Sequence, residues 1–318
     1  MSGDKPTLLL VDDEERILRS LAMLFRATHQ VLSTVDAHQA LDWVARQRVH
    51  VIVSDQRMPL MRGADLLRQV KERSPNTMRL LLTGYSELDA IVASVNEGEV
   101  FRFINKPWDA AELRQTVGQA TEIALNLFSA HPTVAAPVTL LTETGQFVAP
   151  SQREGLLVID EDADVIRTVQ EIVGPAQPVY WAQTLDQALQ HLEQHEIGVI
   201  VSELLVGGEP VTRLLKLLKA EHPQVVTIVM TPFQDTQVLV GLINQGQVFR
   251  FLPKPVRRGP LGMNLASALR QHRSLKASPV LRLTQQVQKA PEPVVEEAGV
   301  AGRVLGFLSR LRSRGGLA

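Results

Sequence analysis

NEGEVFRFINKP, residues 96–107, and NQGQVFRFLPKP, residues 244–255, share eight of twelve letters at an offset of 148. The same offset carries LLLVDDE from Leu8 onto LLVIDE from Leu156, VIVSD from Val51 onto VIVSE from Val199, and LLLTGY from Leu80 onto IVMTPF from Ile228. One offset serving four separate blocks marks two copies of one domain with almost no net insertion. The chain length of 318 residues agrees, at about 150 residues per domain.

Outward from these blocks, each copy alternates short apolar runs with amphipathic segments. In the first copy the runs are 7–11, 31–34, 51–54, 79–82 and 101–104. They lack clean two-residue alternation, as parallel strands buried on both faces do. Between them, Ile17, Leu18, Leu21 and Leu24 fall at helical spacing, Asp36 stands where it can cap AHQALDWVARQ, and Leu66, Leu67 and Val70 line a segment stopped by Ser74-Pro75. A fourth helix is predicted over 87–96, ended by Gly98, and a last one from Asp109 to about 128. Five β-α units in a row predict an α/β domain, a doubly wound five-stranded parallel sheet. Such sheets bind ligands at the carboxyl ends of their strands. The expected boundaries are 5–128 and 155–276 for the two domains, with a linker over 129–154. A Pro/Glu/Ala spacer over 277–301 is expected to be disordered. A basic amphipathic helix is expected over 302–314.

Composition narrows the chemistry. The absence of cysteine excludes disulfides, thiolate metal sites and cysteine nucleophiles. A balance of 33 basic against 34 acidic residues directs no global field at nucleic acid. No signal peptide or membrane-spanning run is read, so a cytoplasmic protein is expected. There is no GxGxxG and no Walker sequence. His191 and His195 are four apart in a charged segment and are expected to be solvated.

The strand ends carry the candidate site. Asp12 and Asp13 follow the first run, Asp55 the third, Thr83 the fourth, and Lys106-Pro107 the fifth. Three converging carboxylates raise one another's pKa unless a cation offsets them. A hard divalent cation such as Mg²⁺ takes oxygen ligands and shares a phosphoryl oxygen. Lys106 adds positive charge suited to phosphoryl transfer, Thr83 a hydroxyl donor, and Asp55 a nucleophile able to form an acyl phosphate. This set, with Pro59 and Gly63 four and eight residues after Asp55, resembles the receiver domain of two-component response regulators. The wording of SDQRMPLMRGADLL and LLLTGYSELDAIVASVNEGEVFRFINKPW is similar to receivers that precede HD-GYP phosphodiesterase domains. The resemblance implies a flavodoxin-like fold, Asp55 as phosphoacceptor, Asp12, Asp13 and Asp55 as Mg²⁺ ligands, and Thr83, Phe103 and Lys106 as the switch set. Without it, Phe103 reads equally well as core.

The second copy keeps Asp160, Glu161, Thr231 and Lys254-Pro255 but places Glu203 at the phosphoacceptor position. Gly207 and Val211 stand where a proline and a glycine belong. One extra methylene misplaces the carboxylate for in-line attack, so this copy is read as an unphosphorylated pseudo-receiver. Its site is read as decayed or kept for packing, with phosphoryl mimicry by Glu203 and a residual cation site as alternatives. In the tail, Val304, Leu305, Leu308 and Leu311 share one helical face beside Arg303, Arg310, Arg312 and Arg314. That pattern suits a partner groove or an anionic membrane surface, with a frayed, partly helical terminus as the alternative.

The expected function is phosphorelay signalling. A histidine kinase phosphorylates Asp55, and output runs through protein contacts with a downstream partner or a second copy, with no enzymatic or nucleic-acid-binding output domain. Two alternatives stand beside it. One is a Mg²⁺-dependent phosphatase of the haloacid dehalogenase type, although Asp12-Asp13-Glu14 lacks the DxD spacing of that chemistry. The other is an adaptor independent of phosphorylation.

Overall fold

The structure is a computed structural model that describes residues 5–84, 100–129, 154–232, 240–244, 248–255, 257–285, 302, 303 and 306. The first half runs β1 (Thr7–Val11), α1 (Glu15–Phe25), β2 (Gln30–Thr34), α2 (Ala37–Arg46), β3 (Val51–Asp55), α3 (Gly63–Arg73), β4 (Met78–Thr83), β5 (Arg102–Asn105) and α4 (Ala110–Ser129). Its strands pair in parallel in the order β2-β1-β3-β4-β5. The predicted helix over 87–96 lies outside the described residues.

Strand β1 shows why the sheet is covered on both sides. Every residue of TLLLV is buried. Leu9 and Val11 pack with Ala40, Leu41, Leu66 and Leu67 of α2 and α3. Leu8 and Leu10 pack with Leu18, Leu21, Leu113 and Val117 of α1 and α4. Successive side chains point to opposite faces, so an unbroken apolar run requires helices on both. Helix α2 starts where Asp36 accepts the His38 amide at 2.8 Å, as its sequence predicts.

The second half repeats the plan with β6 (Gly155–Ile159), α5 (Ala163–Val173), β7 (Val179–Ala182), α6 (Leu185–Gln194), β8 (Ile197–Ser202), α7 (Thr212–Glu221), β11 (Val226–Thr231), β12 (Arg250–Pro253) and α8 (Arg258–Ala277). The sheet order is β7-β6-β8-β11-β12, again parallel. Between β8 and α7 the copy carries a small antiparallel hairpin, β9 (Leu205–Val206) and β10 (Glu209–Pro210).

Two expectations need correction. Part of the expected disordered spacer is helical: α9 (Pro279–Leu283) forms because Ser278 caps the Leu281 amide and Pro279 occupies its first turn. Its Leu283 packs on the first domain's core. His191 and His195 are half-buried rather than solvated, with the Tyr180 ring stacked on His195 at 3.9 Å and His191 Nε2 3.0 Å from the Trp181 carbonyl oxygen. The linker and most of the tail lie outside the described residues. Among the described residues, no helix is long and apolar enough to cross a membrane.

Candidate functional site

Strand direction assembles the first site. Parallel strands β1, β3, β4 and β5 all end on one edge of the sheet, and Asp12, Asp55, Thr83 and Lys106 stand at those ends. Lys106 Nζ lies 2.9 Å from Asp12 Oδ2 and 2.6 Å from Asp55 Oδ1. Asp12 Oδ1 accepts the Glu14 amide at 2.9 Å, and Asp55 Oδ2 accepts the Arg57 amide at 2.7 Å. Asp12 and Asp55 are buried while Asp13 is exposed at the rim. Burial pushes the Asp12 carboxyl above its ordinary value, against the downward pull of the Glu14 amide and the Lys106 amine. Burial also pulls on Lys106, but its hydrogen bonds to Asp55 and Asp12 outweigh this and hold the amine above the usual lysine range.

Thr83 is buried, and its hydroxyl donates to the Gly84 carbonyl at 3.2 Å. The Lys106 amide donates to the Thr83 carbonyl at 2.9 Å, tying β5 to β4 at the site. Phe103 is a core residue with 2% exposure. Gly63 answers a steric demand: a Cβ there would stand 2.1 Å from the Asp55 carbonyl oxygen. The loop after the candidate phosphoacceptor therefore lies against the strand that carries it.

Could these residues hold a divalent cation? Asp12, Asp13 and Asp55 supply hard oxygen donors at one rim, and burial holds the Asp12 carboxyl above its ordinary value even beside Lys106. The donor chemistry fits Mg²⁺. Among the described residues no three such groups form a ready metal cluster, and the Lys106 amine lies against both Asp12 and Asp55.

The second site keeps the lysine between two acids. Lys254 Nζ lies 2.7 Å from Asp160 Oδ2, without good hydrogen-bond geometry, and 2.9 Å from Glu203 Oε2. Burial pulls Lys254 down, but its two acid neighbours, Asp160 and Glu203, outweigh this and hold the amine above its ordinary value. Thr231 is buried at the end of β11. The surroundings differ. Glu203 Oε1 accepts the Leu204 amide at 2.8 Å, and Glu161 turns its carboxylate onto the Gly207 amide in the hairpin. Gly207 and Gly208 both adopt positive φ, 59° and 76°. They form the two-residue connection that favours a tight hairpin, a Gly-Gly signal legible in the sequence. From the tail, Arg303 contacts Asp186 at 2.8 Å and Glu209 at 2.5 Å.

The Response regulator receiver domain family matches residues 8–118 and 156–265. The chain is 39% identical over 122 residues to the hydrogenase transcriptional regulatory protein HoxA of Cupriavidus necator, covering 38% of this chain and 25% of that protein. It is 32% identical over 111 residues to the sporulation initiation phosphotransferase F of Bacillus subtilis, covering 35% of this chain and 89% of that one. The signal receiver domain of an HD domain-containing protein from Pseudomonas fluorescens Pf-5 is 35% identical, with a TM-score of 0.39 over 41% of this chain and 97% of its own. The chain thus spans about a quarter of the length of the hydrogenase regulators it matches.

Proposed function

Because the chain belongs to the response regulator receiver domain family, in two copies, we propose that it acts in a phosphorelay with Asp55 as its one phosphoacceptor. The observation that carries this reading is the Lys106 amine held between Asp12 and Asp55 at the carboxyl edge of the sheet. An Asp55 carboxylate oxygen forms the new P–O bond as the bond from phosphorus to the donor's leaving group breaks, giving an acyl phosphate. Lys106 offsets the negative charge that spreads over the transferring group. Asp12, Asp13 and Asp55 would hold Mg²⁺, which supplies further charge neutralisation when bound. Receiver domains work with histidine kinases or phosphotransferases, and a histidine kinase is the proposed donor here.

The second receiver is read as a scaffold. Glu161 is committed to the hairpin backbone, and Glu203 divides its oxygens between Lys254 and the Leu204 amide. For the tail, a docking role is favoured over an anionic surface, because Arg303 is engaged by acids of the chain's own second receiver.

Acetyl phosphate with Mg²⁺ should label the chain once, and Asp55→Asn should abolish the label. The misplacement expected for Glu203 is worth about 100-fold in rate. Label that persists in Asp55→Asn and maps to the second receiver would overturn the assignment.

A further inference from the structure

Among the described residues, strand β5 is an edge of the first sheet, paired with β4 alone. An edge strand leaves a row of N–H and C=O groups without ladder partners. At Phe103 both groups are taken by one side chain. The Phe103 amide donates to Asn244 Oδ1 at 3.0 Å, and Asn244 Nδ2 donates to the Phe103 carbonyl at 2.8 Å. Asn244 lies in the helical residues 240–244 of the second receiver, 141 residues away, and is 8% exposed. A primary amide carries the same donor and acceptor as a peptide, so Asn244 adds one rung to the sheet. Separating the two receivers would strip partners from four buried polar groups unless water replaced them.

The clasp sits on the strand that carries the site lysine. Lys106 follows β5 directly, its amide is tied to the Thr83 carbonyl, and its amine rests 2.6 Å from Asp55 Oδ1. A phosphoryl group on Asp55 places a charge of about −2 between that carboxylate and the amine. Lys106 then cannot keep its present contact, and the adjustment passes into β5. Two hydrogen bonds of 3.0 and 2.8 Å from one planar amide tolerate little of it, since such a bond is lost by about 3.6 Å. A cavity of about 230 Å³ lined by Phe103, Asn105, Trp108, Glu112 and Asn244 leaves β5 room to move beside the clasp.

We propose that the outer edge of β5 is the docking surface for the chain's own second receiver, clasped by Asn244, and that this docking and phosphorylation of Asp55 oppose one another. The inference rests on the proposed function of Asp55. Linkage makes the coupling reciprocal: what phosphorylation does to docking, loss of docking does to phosphorylation. The surface stays closed to a second copy or a foreign partner until Asp55 is modified.

The test uses the full chain, which has no cysteine, with spin labels on cysteines introduced at the exposed positions Arg46 and Arg167. Pulsed dipolar spectroscopy should give one narrow distance, which beryllofluoride with Mg²⁺ should broaden and lengthen. Asn244→Ala should broaden it without beryllofluoride and raise the acetyl phosphate labelling rate about fivefold or more. Asn244→Asp keeps the size but loses the donor and should do the same. An unchanged distance with beryllofluoride, in a chain whose Asp55 takes label, would overturn the inference. So would closed distances and unaltered labelling in both variants. If Asp55 takes no label at all, the functional reading fails instead, while the variants' distances still report whether Asn244 holds the receivers together. Should the variants fail to fold, the response of the unsubstituted chain to beryllofluoride decides.

Discussion

At the carboxyl edge of each sheet a lysine lies between two acids, at 2.9 and 2.6 Å in the first receiver and 2.7 and 2.9 Å in the second. The lysine-to-acid distances are similar although one acid has changed from Asp55 to Glu203. An ion pair is indifferent to one methylene, because a lysine can follow the carboxylate. Phosphoryl transfer is not, because attack needs the oxygen in line with the donor. What separates the receivers is the backbone around the acids. In the first, Gly63 lets the loop lie against Asp55. In the second, Val211 fills the repeat-related position with a buried side chain, and the hairpin has taken over the loop. Retained charges are therefore poor evidence for retained chemistry, and loop packing discriminates better.

The sharpest way to break this comparison is Gly63→Ala. Its Cβ would meet the Asp55 carbonyl oxygen at 2.1 Å and Leu81 Cδ1 at 2.7 Å. Overpacking of that kind should cost the first receiver about 3 kcal/mol. Urea unfolding of the full chain should show its transition moving to lower denaturant while that of the second receiver stays, and Asp55 labelling should fall in parallel. A neutral Gly63→Ala would mean that the loop is not what distinguishes the sites.

A smaller effect separates the receivers by pH. Lys219 is completely buried, donates to the Pro223 and Val225 carbonyls at 2.8 Å each, and is pulled by burial to about 7. Its repeat counterpart Lys71 is half-buried. Between about pH 7 and the unfolded value of 10.5 the unfolded chain binds the Lys219 proton more than the folded one does. Stability of the second receiver should therefore rise with pH, by about 2 kcal/mol from pH 7 to pH 9. Lys219→Met should flatten that rise, as read from denaturant midpoints at the two pH values. An equal rise in the variant would assign the slope to other groups.

The least effect is expected from Gly207→Ala. A side chain at φ 59° costs about 1 kcal/mol. The loss should be confined to the hairpin and to the Glu161 contact, seen as faster exchange of the backbone amide at position 207 with the β6–β8 core unchanged. Global loosening of the second receiver would show that the hairpin supports more than its own loop.

Much of this was legible in the residues. The run TLLLV announces a strand buried on both faces, Asp36 announces a helix start, and acids and a lysine directly after apolar runs announce a site at one sheet edge. Each depends on local pattern combined with the direction parallel strands must take. The β9–β10 hairpin was legible in principle through Gly207-Gly208. Helix α9 is hard to read from the sequence because Pro and Glu dominate the composition after it, while its Ser278-Pro279 start is only two residues long.

The sequence by itself determined the repeat, the parallel α/β plan, and the convergence of Asp12, Asp55, Thr83 and Lys106, because strand ends in such a sheet share an edge. Only the tertiary structure decided that Asn244 grips Phe103, that Glu161 turns to the hairpin, and that Lys219 is sealed from water. Each of these joins groups by where two surfaces meet, and burial and partner choice across such a meeting depend on separations that no local period encodes.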